Sequence, residues 1–202
     1  IGEDGNIASV RTGSGEELGA DLYIDCTGFR AVLISGALGV EFKSCADKLL
    51  CDRAVTMRVG YDVHAPETIK PYTLATARQA GWSWDIPLRN RRGLGYVYSS
   101  SFISDEDAET ELRQAEGSHA ADIETRTIRF ASGKRAASWV GNCVAVGLAD
   151  GFLEPLESSG LYMIEFAAES LGELLPAARL HPQQAMRVFN SRMHTLYEEV
   201  TE

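Results

Sequence analysis

Apolar and polar positions alternate with a period of two through roughly the first two-thirds of the chain, then recur at helical spacing towards its end. Gly-rich turns in 5–8 and 11–18 predict a hairpin that feeds a short apolar strand in 20–28, which stops at Gly28. Residues 31–40 are small and apolar and fit a short helix or a loop, and a strand is expected over 54–60. After the turn signal at Ala65 and Pro66, the segments 72–80, 81–87 and 94–102 are rich in β-branched and aromatic residues between polar or glycine turns, the pattern of an antiparallel sheet. Ser104 followed by Asp105, Glu106 and Asp107 marks a helix start, because a serine caps free N–H groups and the helix dipole favours acidic residues in the first turn. That helix should run to about Glu116, with a strand near 123–130, a tight turn at Ser132 and Gly133, and a buried strand within 139–147. Leu161, Ile164, Ala168, Leu171 and Leu175 predict a helix over 159–175, and a last helix spans roughly 182–200.

The 202 residues, 45% hydrophobic and 24% charged, describe an ordinary globular composition with material for one sizeable core or two small ones. A net charge of −10 argues against the basic face that nucleic acid requires. No apolar run approaches a membrane span, and no signal peptide is visible. Cys26, Cys45, Cys51 and Cys143 lack C-x-x-C spacing, so reduced thiols in a cytoplasmic protein are expected. His64, His119, His181 and His194 are scattered, and no metal is assigned. Arg89, Arg91 and Arg92 read as solvated cations beside a turn. The chain begins inside a turn and ends in a charged helical stretch, so it reads as cut at both ends.

The most informative stretch is GNCVAVGLADGFLEPLESSG, residues 141–160. A buried strand ends at Gly147, Asp150 follows, Pro155 breaks the chain, and a helix opens at Ser158 to Gly160. A carboxylate at a strand end can accept a ribityl or ribose hydroxyl, and the N–H groups of a helix N-terminus favour an anion or an electron-rich carbonyl. Taken alone, the same layout also describes a plain strand, loop and helix with a capping aspartate.

Residues 21–28, DLYIDCTG, resemble the second fingerprint of flavoproteins with two dinucleotide-binding domains, with Thr27 and Gly28 next to the dinucleotide. A G-x-G-x-x-G opening is absent: the Gly13–Gly15 and Gly93–Gly95 pairs lack the third glycine and the strand-turn-helix context. Residues 81–87, GWSWDIP, match the W-x-W-x-I-P pattern of flavin-dependent halogenases, and alternation puts Trp82, Trp84 and Ile86, ahead of Pro87, on one face of a strand as a bulky wall. Two tryptophans on a half-buried strand also make simple core. Residues 152–160 are similar to the halogenase segment F-L-E-P-L-E-S-T-G, with Ser159 at the usual threonine. On these motifs the chain resembles the central two-fifths of a flavin-dependent halogenase of the tryptophan-halogenase family.

The resemblance implies a mixed α/β (α+β) fold: part of an FAD-binding module at 1–50, an antiparallel substrate-side region at 51–139, and a returning FAD-binding strand with active-site loop and helices at 140–202. It implies FADH2- and O2-dependent halogenation of an aromatic substrate such as tryptophan, through hypohalous acid formed at the flavin. Position by position, Glu157 is the active-site glutamate, which without the flanking motif would read as a solvated charge ahead of a helix. Ser159 and Gly160 offer backbone N–H groups to chloride or bromide, and Thr27, Gly28, Gly147, Leu148, Asp150 and Leu161 meet the FAD. Glu154 is read as structural. The Trp82, Trp84 and Ile86 wall would keep the organic substrate from the flavin. A separate flavin reductase is the implied partner, with no nucleic acid and no membrane, and a homodimer is left open. The family's active-site lysine lies upstream of anything in this sequence, so these residues alone are expected to be inactive. The rival readings are a flavoprotein aromatic hydroxylase and a non-catalytic flavin-binding module.

Overall fold

The computed structural model describes residues 1–61, 69–154, 156 and 158–201. In chain order the elements are β1 (Val10–Arg11), β2 (Glu17–Leu18), β3 (Tyr23–Asp25), β4 (Phe42–Ser44), β5 (Arg53–Gly60), β6 (Leu74–Arg78), β7 (Gly81–Pro87) and β8 (Arg91–Tyr98). After these come α1 (Asp105–Glu116), β9 (Thr125–Arg129), β10 (Gly133–Arg135), β11 (Trp139–Val140), β12 (Cys143–Ala145), β13 (Gly151–Phe152), α2 (Ser159–Ala178) and α3 (Pro182–Thr201). The chain divides into two compact units, one made of Ile1–Lys48 with Ser132–Glu202 and the other of Leu49–Ala131. The turn expected at Ala65 and Pro66, and His64 with it, lies outside the described residues.

In Leu49–Ala131 the expected antiparallel sheet has five strands in the order β6-β7-β8-β5-β9. One face buries Val55, Met57, Tyr96 and Tyr98 against Ala108 and Leu112 of α1. The other packs Trp82, Trp84 and Phe130 over Cys51, Ala54 and Val97. The α1 start is the predicted one: the Ser104 hydroxyl accepts from the Asp107 N–H at 3.0 Å. Asp105 does more than favour the dipole, because it accepts from Arg53 at 2.9 Å and from the Tyr98 hydroxyl at 2.8 Å. The reading of Arg92 as solvated is corrected. β8 starts at Arg91, so Arg92 is a strand residue, and its guanidinium pairs with Asp85 at 2.9 Å and with Glu116.

The other unit is built around the parallel pair β3 and β12, with β11 antiparallel at the edge, in the order β11-β12-β3. The single buried strand expected over 139–147 is in fact a hairpin. Gly141 at φ 56° and Asn142 turn the chain between β11 and β12, a glycine-led reversal that favours positive φ. Asn142 then uses its side-chain amide like a peptide group, accepting from the Ile7 N–H at 2.9 Å and donating to the Ile7 carbonyl at 3.0 Å. Asn190 of α3 does the same to Trp139, at 2.8 Å in each direction. A second sheet, β13-β10-β4, includes β10, for which the sequence offered only a turn. The segment left open between helix and loop contains a π-helical turn over Val32–Ala37. α2 and α3 pack together, α3 burying Ala185, Phe189, Met193 and Leu196 at helical spacing. Among the described residues no helix is long and apolar enough to cross a membrane.

Candidate active site

β3 and β12 end side by side, with Ala145 opposite Asp25, and the chain leaves both in the left-handed region: Gly28 has φ 72° and Gly147 φ 65°. Carboxyl ends of adjacent parallel strands are where α/β folds place ligands, because loops diverge there and open a crevice. Thr27 and Gly28 therefore share one edge with Gly147 and Leu148. The Val146 N–H donates to the Asp25 carbonyl at 3.0 Å, and the Phe29 and Phe152 rings meet edge to face at 5.6 Å. A Cβ on Gly28 would point into open space, so its backbone can be approached closely.

Asp25 holds the first loop. One oxygen accepts from the Thr27 N–H at 2.9 Å and hydroxyl at 2.6 Å, and the other from the Leu33 and Ile34 N–H groups at 2.8 Å each. Burial alone would raise its pKa, but the hydrogen bonds from the Thr27 hydroxyl and the three N–H groups outweigh burial and hold it below the ordinary carboxylate value. Burial and the charge of Asp25 push the neighbouring Cys143 thiol up to about 12, so this cysteine is chemically quiet. Sequence reasoning passed over Asp25; the available signal was an acidic residue inside an otherwise apolar strand.

Two non-glycine residues among those described have left-handed backbones, Ala31 at φ 43° and Ser158 at φ 58°. Ala31 comes just after the 21–28 segment that the sequence singled out, and Ser158 lies within 141–160. Strain of this kind persists where the surroundings enforce it, and it concentrates at ligand sites. Ser158 precedes α2 without capping it through its side chain, which leaves the first N–H groups of the helix, those of Ser159 and Gly160, directed along the axis. Beside this helix start lies a cavity of about 290 Å³, lined by Gly147, Leu148, Asp150, Gly160 and Leu161 together with Phe152, Leu153, Ile164 and, from α3, Met193 and Tyr197. Five predicted site residues are thus brought to one space. The contribution of α3 was not foreseen, since Met193 and Tyr197 look like ordinary core in a helical stripe.

Asp150 was read as a strand-end carboxylate able to accept a ribityl or ribose hydroxyl, and it lines this cavity. It is 1% exposed, and neither carboxylate oxygen meets a hydrogen-bond partner at full hydrogen-bond geometry among the described residues. Burial pushes its pKa up to about 6, against the lowering influence of the nearby Ser138 and Tyr197 hydroxyls and of Lys134 and Arg135. Burial, followed by the charge of Asp150, drives the Tyr197 phenol upwards. Glu157 lies outside the described residues.

In the other unit Trp82 and Trp84 stand on one face of β7 with ring centroids 5.9 Å apart, and Ile86 on the same face is 38% exposed. The Trp84 ring lies over Gly95 of β8, where a Cβ would fall inside the indole. Gly95, noticed in the sequence only as half of a failed dinucleotide motif, is the seat of that ring.

A family model described as tryptophan halogenase matches residues 1–202. The chain belongs to the tryptophan halogenase family. It is 48% identical over 183 residues to the tryptophan 6-halogenase SttH of Streptomyces toxytricini, covering 91% of this chain and 35% of that protein. It is 44% identical to the 7-chloro-L-tryptophan 6-halogenase KtzR of Kutzneria sp. (strain 744), covering 100% of this chain and 39% of that one. The crystal structure of SttH superposes with a TM-score of 0.94 at 45% identity, over 100% of this chain and 39% of SttH. The mixed α/β architecture is therefore the family's own, and the chain spans less than two-fifths of the length of these relatives.

Proposed function

We propose that the chain is the central portion of an enzyme that uses FADH2, dioxygen and chloride or bromide to halogenate an aromatic substrate such as tryptophan. The observation that carries this is the meeting of the two strand-end loops, each strained at a non-glycine residue, with a cavity at the α2 N-terminus. The residues present fit a flavin. Gly28 leaves room for close backbone approach, and Phe29, Leu148 and Leu161 are 48%, 41% and 75% exposed, offering apolar surface to a flat ring system. Thr27, Gly28 and Gly147 would hold the dinucleotide, with Leu148 and Leu161 against the ring. The reduced flavin supplies the electrons that let dioxygen oxidise a halide. The rest of the work falls to the protein. The N–H groups of Ser159 and Gly160 bind the halide, since a helix N-terminus is an anion site. Glu157 takes the proton that the arene loses on substitution, or polarises the halogenating species. Reduced flavin comes from a separate reductase.

The test is a halogenation assay on the full-length protein with FAD, a flavin reductase, NADH, oxygen and bromide or chloride, reading tryptophan and indole products by mass. A halogen mass shift that falls at least roughly tenfold in Glu157→Gln supports both the reaction and the role of Glu157. Hydroxylated product or peroxide alone would replace the halogenase reading with that of a hydroxylase.

A further inference from the structure

Asp150 is a buried acid that the reaction outlined above does not use. It lines the same cavity as Gly160 and Leu161, it is 1% exposed, and neither of its oxygens meets a hydrogen-bond partner at full hydrogen-bond geometry among the described residues. Its side of the unit is crowded with chemistry: Ser138 ahead of β11, Lys134 and Arg135 on β10, and Tyr197 on α3, which Cys45 also faces. Lys134 leads from this cluster to the surface, donating to Glu198 at 2.9 Å, sharing a 2.7 Å contact with Nδ1 of His194, and standing 5.5 Å from the centre of the Tyr197 ring. The surrounding cavity wall is mostly apolar. An anion drawn to the α2 N-terminus would enter a space walled by a buried carboxyl group that has the Ser138 and Tyr197 hydroxyls beside it. Ionised, that group repels the anion across a low-dielectric space; protonated, it offers an O–H donor.

We propose that this cavity takes up a halide and a proton together, the proton residing on Asp150, so that pH governs how fully the anion site is filled. The proposal rests on the reading of Ser159 and Gly160 as halide donors. The sign follows from linkage. The acid form binds the anion better, and Asp150 loses its proton as pH rises through about 6. Halide affinity is therefore greatest in acid and declines about tenfold for each pH unit above that point, to roughly a hundredfold loss at pH 8.

The experiment is bromide titration of the full-length protein by calorimetry between pH 5 and 8, in buffers of different ionisation enthalpy, for the wild type, Asp150→Asn and Tyr197→Phe. The wild type should show the decline and take up close to one proton per bromide above pH 6. Asp150→Asn should bind bromide with no pH dependence and no proton uptake. Tyr197→Phe, which removes a hydroxyl that lowers the Asp150 pKa, should move the midpoint to higher pH, and it keeps the test decisive if the asparagine variant does not fold. Bromide binding in the wild type without pH dependence or proton uptake overturns the proposal and leaves the halide site standing. Absence of bromide binding at every pH overturns the halide site, and the proposal with it.

Discussion

Replacing Asp25 by asparagine tests how the first site loop is held. The carboxylate takes four donors, two on each oxygen, from Thr27 on one side and from Leu33 and Ile34 on the other. Asparagine keeps one acceptor oxygen and turns an NH2 group towards the remaining donors. Leaving the Thr27 pair uncovered strands one N–H and a hydroxyl that can rotate away, and the surviving bonds lose their charge assistance, together about 2 kcal/mol. Leaving Leu33 and Ile34 uncovered strands two backbone donors, about 4 kcal/mol. Either is a large share of the roughly 5–15 kcal/mol that holds a domain folded. The loss is read from urea midpoints, and its location from hydrogen exchange at the Leu33 and Ile34 amides. The folded-state pKa of Asp25 is lowered, so its contribution is complete above the unfolded value near 4 and is lost as pH falls through the folded value. The difference between wild type and Asp25→Asn should therefore narrow below about pH 4. A loss under about 0.5 kcal/mol at pH 7, with both amides still protected, would refute the account.

Gly95→Ala forces a methyl group into the Trp84 ring and should destabilise Leu49–Ala131 by about 1–3 kcal/mol, with an altered tryptophan emission spectrum; unchanged emission and stability would show the ring free to move. Asn190→Ala removes both bonds to Trp139 and should cost about 1–3 kcal/mol, read by thermal or urea unfolding, while Asn190→Asp, which cannot donate to the Trp139 carbonyl, recovers only part of the loss.

What the sequence made legible were elements whose signal is local. The serine cap of α1, the alternation along β5, β7 and β8, and the apolar stripe of α2 are each written within a dozen residues or so. β10 was not legible, because Gly133, Lys134 and Arg135 carry no strand propensity and are drawn into a sheet by β4 and β13 on either side. Arg92 was misread because its partner Glu116 is on a helix that sequence spacing does not bring to mind. The candidate site shows the same division. Its loops could be named from motifs, while the inward turn of Asp150 and the part played by Tyr197 depend on how α3 packs, which no local pattern encodes.

β9 lies against β5 with Arg129 opposite Arg53, and the Phe130 N–H donates to the Asp52 carbonyl at 3.0 Å. The chain therefore enters and leaves the five-stranded sheet at the same spot. This bears on the order of folding. The discontinuous unit must join residues as far apart as Ile7 and Asn142, separated by 135 positions, and such closures are slow because chain entropy is lost before contacts repay it. Once the sheet has formed, its two ends are already together, and the residues between Arg53 and Arg129 drop out of the loop that must be closed. Early assembly of Leu49–Ala131 would thus set the pace for the strands that frame the site, and slowing that sheet should delay the pairing of β3 with β12 even where neither strand is altered.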